Sequence, residues 1–370
     1  MPMKRLIMLF TLIFFIGCGG GKDSSKEVEP KKTAVTKKTS NQGQVELLEP
    51  VSTDPIYNYE IAGNKAVITG YNGSGESFTI PDTIEDFPVT EIRAKAFASS
   101  TTLKTIIIGK NVTIIGRFAF SGCTGLSSIE IPDNVTSIGQ LAFDNCSNLE
   151  SINVGEDNQY YSSEDGVLYD NGKTKIIQCP LGKTGSLTVA DGVSSIDNYA
   201  FRSCGKITSV VFGNKIKSIG IGAFYNCIGL NTISLPESLD SLGDMAFYKC
   251  SNLQSITIPS NIKTIGVQTF ANCEGLRDVM IPEGVISISK GAFFDCTGLA
   301  EITVPSSVRS LGRGAFSRCG NLEKVTFLGN APSASPDSFG GTSPTVYYSI
   351  GTQGWGQTFA GLAAEPVPSE

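Results

Sequence analysis

Phenylalanine returns in this chain at a fixed interval. Phe97, Phe120, Phe143, Phe201, Phe224, Phe247, Phe270, Phe293, Phe316 and Phe339 stand 23 residues apart, except for one step of 58 residues between Phe143 and Phe201. Their surroundings return with them. Alanine precedes most of them, as at Ala119, Ala142, Ala200, Ala223, Ala246, Ala292 and Ala315. An aliphatic residue stands five places earlier: Ile92, Ile115, Ile138, Ile196, Ile219, Leu242, Ile265, Ile288 and Leu311. A period this strict rules out a single unrepeated core. It describes one small unit that cannot bury its own apolar face and stacks on copies of itself.

One unit can be read residue by residue. Leu253, Ile256 and Ile258 point inward, the last two alternating as a pleated strand requires. Pro259 has no N–H to continue a ladder and turns the chain. In the same arc of another unit, Val135 and Ile138 return to the core. The glycines that follow the aliphatic residue (Gly116, Gly139, Gly220, Gly243, Gly266 and Gly312) are expected to supply positive φ at a bend. Each Ala-Phe pair is expected to form a short helical arc that drives the ring inward. Stacking at about 4.8 Å would then align every residue with its equivalents. The period falls in the leucine-rich-repeat range of about 20–29 residues. The expected fold is therefore an α/β repeat: a leucine-rich-repeat solenoid of 23-residue coils, each a short strand plus a short helical arc.

The chain has ten cysteines. Eight of them follow a Phe by three residues: Cys123, Cys146, Cys204, Cys227, Cys250, Cys273, Cys296 and Cys319. Neighbours in such a file are about 4.8 Å apart with parallel side chains, whereas a disulfide needs Cβ atoms near 3.8 Å and inclined toward each other. A ladder of buried thiols, each a weak donor to a turn carbonyl, is expected instead. Ser100 and Thr342 hold the position in the first and last coils, and Cys179 lies outside the file.

The chain has no histidine. That removes the imidazole base of Ser-His-Asp and Cys-His catalysis and the usual zinc and copper ligand. No cofactor or metal is expected. Formal net charge is −6, and loss of a leader carrying Lys4 and Arg5 takes it two lower, near −8. An acidic solenoid offers no basic stripe for nucleic acid and is disfavoured at anionic headgroups.

Residues 1–18 combine the cations Lys4 and Arg5 with an apolar run from Leu6 to Ile16, the pattern of a secretory signal. Phe15-Ile16-Gly17-Cys18 resembles a bacterial lipobox, which implies lipidation of Cys18. Residues 19–50, polar and poor in large apolar side chains, read as a disordered tether. The solenoid is expected over 51–362, with a β-hairpin cap in 51–91 turning at Gly63-Asn64. An irregular insert covers 155–185, with a hairpin turning at Asn171-Gly172. An irregular C-terminal cap covers 328–362, with a final strand at Val346-Tyr347-Tyr348 and Trp355 as an aromatic plug, and residues 363–370 form a tail.

The unit IGRFAFSGCTGLSSIEIPDNV (Ile115–Val135), the insert EDGVLYD (Glu164–Asp170), the cap Ile61–Val89 and the stretch Ala331–Trp355 resemble the BspA-type leucine-rich repeats of bacterial surface proteins. The resemblance implies a secreted or surface-exposed protein of the bacterial envelope that binds host matrix proteins or other cells. It carries no catalytic residues. The leading reading is a non-enzymatic adhesion module for protein partners, attached to the membrane only through its N-terminal lipid. The candidate face is the outward side of the strands: Thr105, Ser128, Ser151, Ser209, Thr232, Ser255, Arg277, Asp278, Glu301, Glu323 and Lys324. The alternatives are a structural envelope or cell-to-cell component without a discrete ligand, and a polysaccharide-binding protein or carboxylate-based glycosidase built on Glu164 and Asp165.

Overall fold

The computed structural model describes residues 56–368. The leader, Cys18 and the tether lie outside the described residues. The regular coils have three sides, and backbone hydrogen bonds tie these sides to neighbouring coils along much of the stack. The first side is a short parallel strand, as where Ser128–Ile131 pairs in register with Ser151–Val154, and Glu301–Val304 with Lys324–Phe327. The second is a two-residue strand: Thr264–Ile265, Ser287–Ile288, Ser310–Leu311 and Ser333–Ala334 form one run. Its aliphatic members are buried, as expected of residues five places before each Phe.

The third side corrects the expectation of a helix. No helix occurs among the described residues, so the fold there is an all-β solenoid and not α/β. From Phe97 to Phe316 the residues two before and two after each repeat Phe adopt positive φ, for instance Leu141 (60°) and Asn145 (57°) around Phe143, and Met245 (55°) and Lys249 (61°) around Phe247. Left-handed residues at this spacing break the run of right-handed residues that a helix needs. The freed N–H groups turn to the neighbouring coil. Met245 N donates to Val267 O (2.9 Å), Phe247 N to Thr269 O (2.8 Å) and Lys249 N to Ala271 O (2.9 Å). A helix would bond to itself and leave these groups unavailable to the stack; the alternating arc makes a third ladder.

The glycines beside the aliphatic residue also differ from expectation, since none has positive φ. They are glycine because the preceding coil lies against them. A Cβ on Gly312 would stand 2.4 Å from Lys290 N, and one on Gly116 2.4 Å from Ala94 N. Gly291, in contrast, does have positive φ (60°), and a Cβ there would meet only the flexible Gln268 side chain, at 3.3 Å, and Phe294 Cβ at 3.6 Å. Gly312→Ala should therefore cost about 3 kcal/mol through overpacking, while Gly291→Ala costs about 1 kcal/mol of left-handed strain. Urea unfolding of both variants checks this; equal losses would assign both glycines to backbone conformation alone.

The phenylalanines form two files. Ring centroids lie 5.2 and 5.7 Å apart from Phe97 to Phe143, and between 4.7 and 5.5 Å from Phe201 to Phe339. The thiols run alongside, all nine described cysteines being free and buried. Seven of them donate Sγ–H to the carbonyl of the Phe one coil back, as in Cys250 to Phe224 O and Cys273 to Phe247 O, both 3.1 Å. In the last coil the Thr342 hydroxyl makes the same bond to Phe316 O at 3.2 Å. Cys179 is outside the thiol file and takes the backbone place of a Phe. Its N–H donates to Ala200 O (2.7 Å), and its carbonyl accepts from Cys204 Sγ (3.6 Å).

The 58-residue step holds three antiparallel strands, Tyr161–Glu164, Val167–Asp170 and Lys175–Gln178. The turn expected at Asn171-Gly172 joins the last two. A further turn at Asp165-Gly166, with φ of 49° and 72°, joins the first two. The middle strand divides the core: Leu168 packs into the N-terminal cluster, Val167 and Tyr169 into the C-terminal one. Buried Asp144, next to Phe143, reaches across the insert to Arg202, next to Phe201, at 2.5 Å. Asn158 is satisfied on every side, donating to Pro132 O and Val135 O and accepting from the N–H groups of Tyr160 and Tyr161.

Aromatic rings close both ends. The hairpin Tyr57–Ala62/Lys65–Tyr71, turning at Gly63-Asn64, stacks Tyr71 on Phe97 at 5.1 Å. At the other end Trp355 lies parallel to Tyr348 (4.9 Å) against Phe327 and Phe359, its indole N–H donating to Gly329 O. Thr345–Tyr348 is followed by another strand, Leu362–Pro366, so it is not the last.

Candidate binding surface

Alternation along the first-side strands decides what faces out. Ile129, Ile152, Ile256, Ile302 and Val325 are buried, and their neighbours in sequence point away from the core. Thr105, Ser128, Thr232, Ser255, Asp278, Glu301 and Lys324 are exposed in one row, with Ser151 and Ser209 half-buried in it. Register places Ser151 beside Ser128, Thr232 beside Ser209, Asp278 beside Ser255, and Lys324 beside Glu301. Arg277 and Glu323 are exposed just before their strands. Ser186 also belongs to the row, its hydroxyl accepting from Ser209 at 2.8 Å.

A second outward row lies two residues further along each strand and was not among the sequence candidates. It contains Ile107 (61% exposed), Glu130, Asn153, Val211 (52%), Thr257 and Met280 (64%). The same alternation that marks the first row marks this one. Together the rows line two open grooves. One, of about 580 Å³, runs past Thr105, Ile107, Ser128, Glu130 and Asn153. The other, of about 430 Å³, gathers Arg277, Asp278, Met280, Glu301 and Lys324. Among the described residues, none of those four charged groups has an ionic partner within 4.0 Å. Their charges remain open to an incoming surface.

The other candidates take different places. Glu164 pairs with Lys173 (2.9 Å) and Asp165 with Lys183 (3.0 Å), so each of these two carboxylates is held by its own lysine. Burial pushes Cys273 and Cys319 up to about 12, far from the range in which a cysteine is a nucleophile near neutrality. Cys18 lies outside the described residues.

A solved structure shares the fold. A leucine-rich repeat protein from Eubacterium ventriosum superimposes with a TM-score of 0.61 at 19% identity, over 84% of this chain and 98% of that one. The pneumococcal vaccine antigen PcpA gives 0.49 at 20% identity over 81% and 94%. A leucine rich cell surface protein from Faecalibacterium prausnitzii gives 0.41 at 24% over 76% and 96%. Among curated proteins no sequence matches significantly. The family model for the BspA type leucine rich repeat region (6 copies) matches residues 71–182, 178–288 and 268–350, well over half of the chain. With the 23-residue coil, the phenylalanine files and the thiol ladder in place, the chain belongs to the BspA-type leucine-rich-repeat family.

Proposed function

We propose that the chain is a non-catalytic adhesion protein of the bacterial surface, tethered through a lipid on Cys18, that presents its first-side strands to protein partners. The observation that supports this reading best is the C-terminal groove, where Arg277, Asp278, Glu301 and Lys324 stand exposed and without ionic partners around Met280. Charged groups around an exposed apolar side chain suit a protein partner: the charges steer and select, and the apolar contact adds affinity. Short serines and threonines along the rest of the row let a partner approach closely. The repeat distributes contacts over many coils, so no single side chain has to dominate.

Asp278→Lys with Glu301→Lys should reduce capture of protein partners, from host matrix or from neighbouring bacterial surfaces, by tenfold or more, since like charges now oppose the partner. Surface plasmon resonance on immobilised matrix proteins, with circular dichroism to confirm folding, measures it. Unchanged capture by the folded double variant would remove this face from consideration.

A further inference from the structure

On the third side of the solenoid, away from the strand face and independent of its reading, the position two before each Phe carries a side chain in most coils: Lys95, Phe118, Leu141, Tyr199, Met245 and Gln268. All six adopt φ between 54° and 64°, so the left-handed conformation does not demand glycine here. The side chain is missing at Gly222, where a Cβ would stand 2.5 Å from the Tyr199 ring, and again in two successive coils at Gly291 and Gly314. At the latter two the surroundings do not demand glycine. A Cβ on Gly314 would meet nothing closer than Ser317 Oγ at 3.4 Å. The two glycines open a pocket of about 420 Å³, inside the range of about 300–1,000 Å³ typical of small-ligand sites.

The wall chemistry is specific. Phe294 supplies an aromatic ring, backed by the Arg318 guanidinium 5.5 Å from its centroid. Lys290 and Arg313 supply two cations on an otherwise acidic chain. Lys290 has no ionic partner within 4.0 Å among the described residues, and Arg313 meets only the exposed Asp337, at 3.3 Å. Such an exposed pair is weak enough to be shared with a ligand. Gln268 and Asp337 offer acceptors for hydroxyl donors, and the Ser317 hydroxyl donates to Asp337 O (2.8 Å), leaving its lone pairs for another donor. A ring with a CH face, several hydroxyls and one carboxylate uses all of these at once. We propose that this pocket binds a carboxylated sugar, a uronic or sialic acid residue of a surface glycan, stacked on Phe294 with its carboxylate between Lys290 and Arg313. An acidic peptide would bring the carboxylates without the ring face and the hydroxyls, and would leave Phe294, Gln268 and Ser317 unused.

Isothermal titration of the purified protein tests it, with trigalacturonic acid, a hyaluronan tetrasaccharide and sialyllactose as carboxylated probes. Galactotriose and lactose serve as neutral counterparts, and an aspartate-rich hexapeptide as the competing class. Saturable binding of at least one carboxylated sugar is expected, with at least tenfold weaker binding of its neutral counterpart. Which probe binds separates uronic from sialic recognition. Lys290→Ala and Arg313→Ala should each weaken binding tenfold or more. Gly314→Met (φ 65°), which restores a side chain that Met245 carries at φ 55°, should abolish it without moving the thermal midpoint by more than a few degrees. If that variant does not fold, the two exposed-cation variants still decide. No saturable binding of any carboxylated sugar, equal binding of the neutral sugars, preference for the peptide, or full affinity in folded Gly314→Met would each overturn the proposal.

Discussion

Under reducing conditions the solenoid should unfold cooperatively as pH rises from about 9 toward 11. A free thiol releases its proton near pH 9, while burial holds Cys273 and Cys319 protonated to about 12 and raises Cys250 and Cys296 as well. Between those limits the unfolded chain binds fewer protons than the folded one, so stability falls with rising pH. It is fully present below about 9 and lost toward 12. Each thiol contributes a slope of up to about 1.4 kcal/mol per pH unit. Four in adjacent coils make roughly 5 kcal/mol per unit, comparable with the whole stability of an ordinary domain at about 5–15 kcal/mol. Far-UV circular dichroism against pH measures the midpoint. Cys273→Thr with Cys296→Thr should raise that midpoint by several tenths of a pH unit, because threonine makes the same bond at Thr342 and does not titrate there. An unmoved midpoint would assign alkaline unfolding to other groups.

Phe247→Ala should cost about 3–5 kcal/mol. The ring is fully buried between Phe224 at 5.2 Å and Phe270 at 5.5 Å, and the coils on either side are fixed by three ladders that leave little freedom to collapse into the cavity. Phe339, with Phe316 as its one stacked neighbour, should cost less. Hydrogen exchange should show lost protection concentrated in the coils around residue 247 and little changed in the core N-terminal to the insert, since the two cores form separate clusters divided by the strands of the insert. Equal loss of protection in both would show that the insert transmits stability without attenuation.

What the sequence makes legible follows from stacking. A side chain that must sit on its own copy has to recur, so the phenylalanine files, the thiol ladder and the inner aliphatic residues could all be read from period alone. The arc could not. Its left-handed positions hold Lys95, Phe118, Leu141, Tyr199 and Met245, residues with no preference for positive φ. At Lys95, Tyr199 and Met245 the next coil accepts the backbone N–H, and that pull is invisible in the composition of one unit. At Gly116 and Gly312 the need for glycine comes from a neighbouring backbone and not from a bend, a cause that lies in the adjacent coil. On the candidate face, the strand alternation that reveals Thr105 also reveals Ile107; the second row needed only the same rule applied once more. The turn at Asp165-Gly166 likewise carries an ordinary hairpin signal. The pocket at Gly291 and Gly314 becomes visible only when coils are compared position by position.

The donor from each thiol, the stacking of each ring and the bonds of each arc reach one coil away and stop there. A coil can therefore be duplicated or deleted as a block of 23 residues without orphaning a single partner, provided the aromatic plugs at Tyr71 and Trp355 stay at the two ends. Length in this architecture is an adjustable quantity. A gene that gains or loses copies changes how far the protein reaches and how many outward side chains it offers, while the chemistry inside each turn of the stack stays as it was.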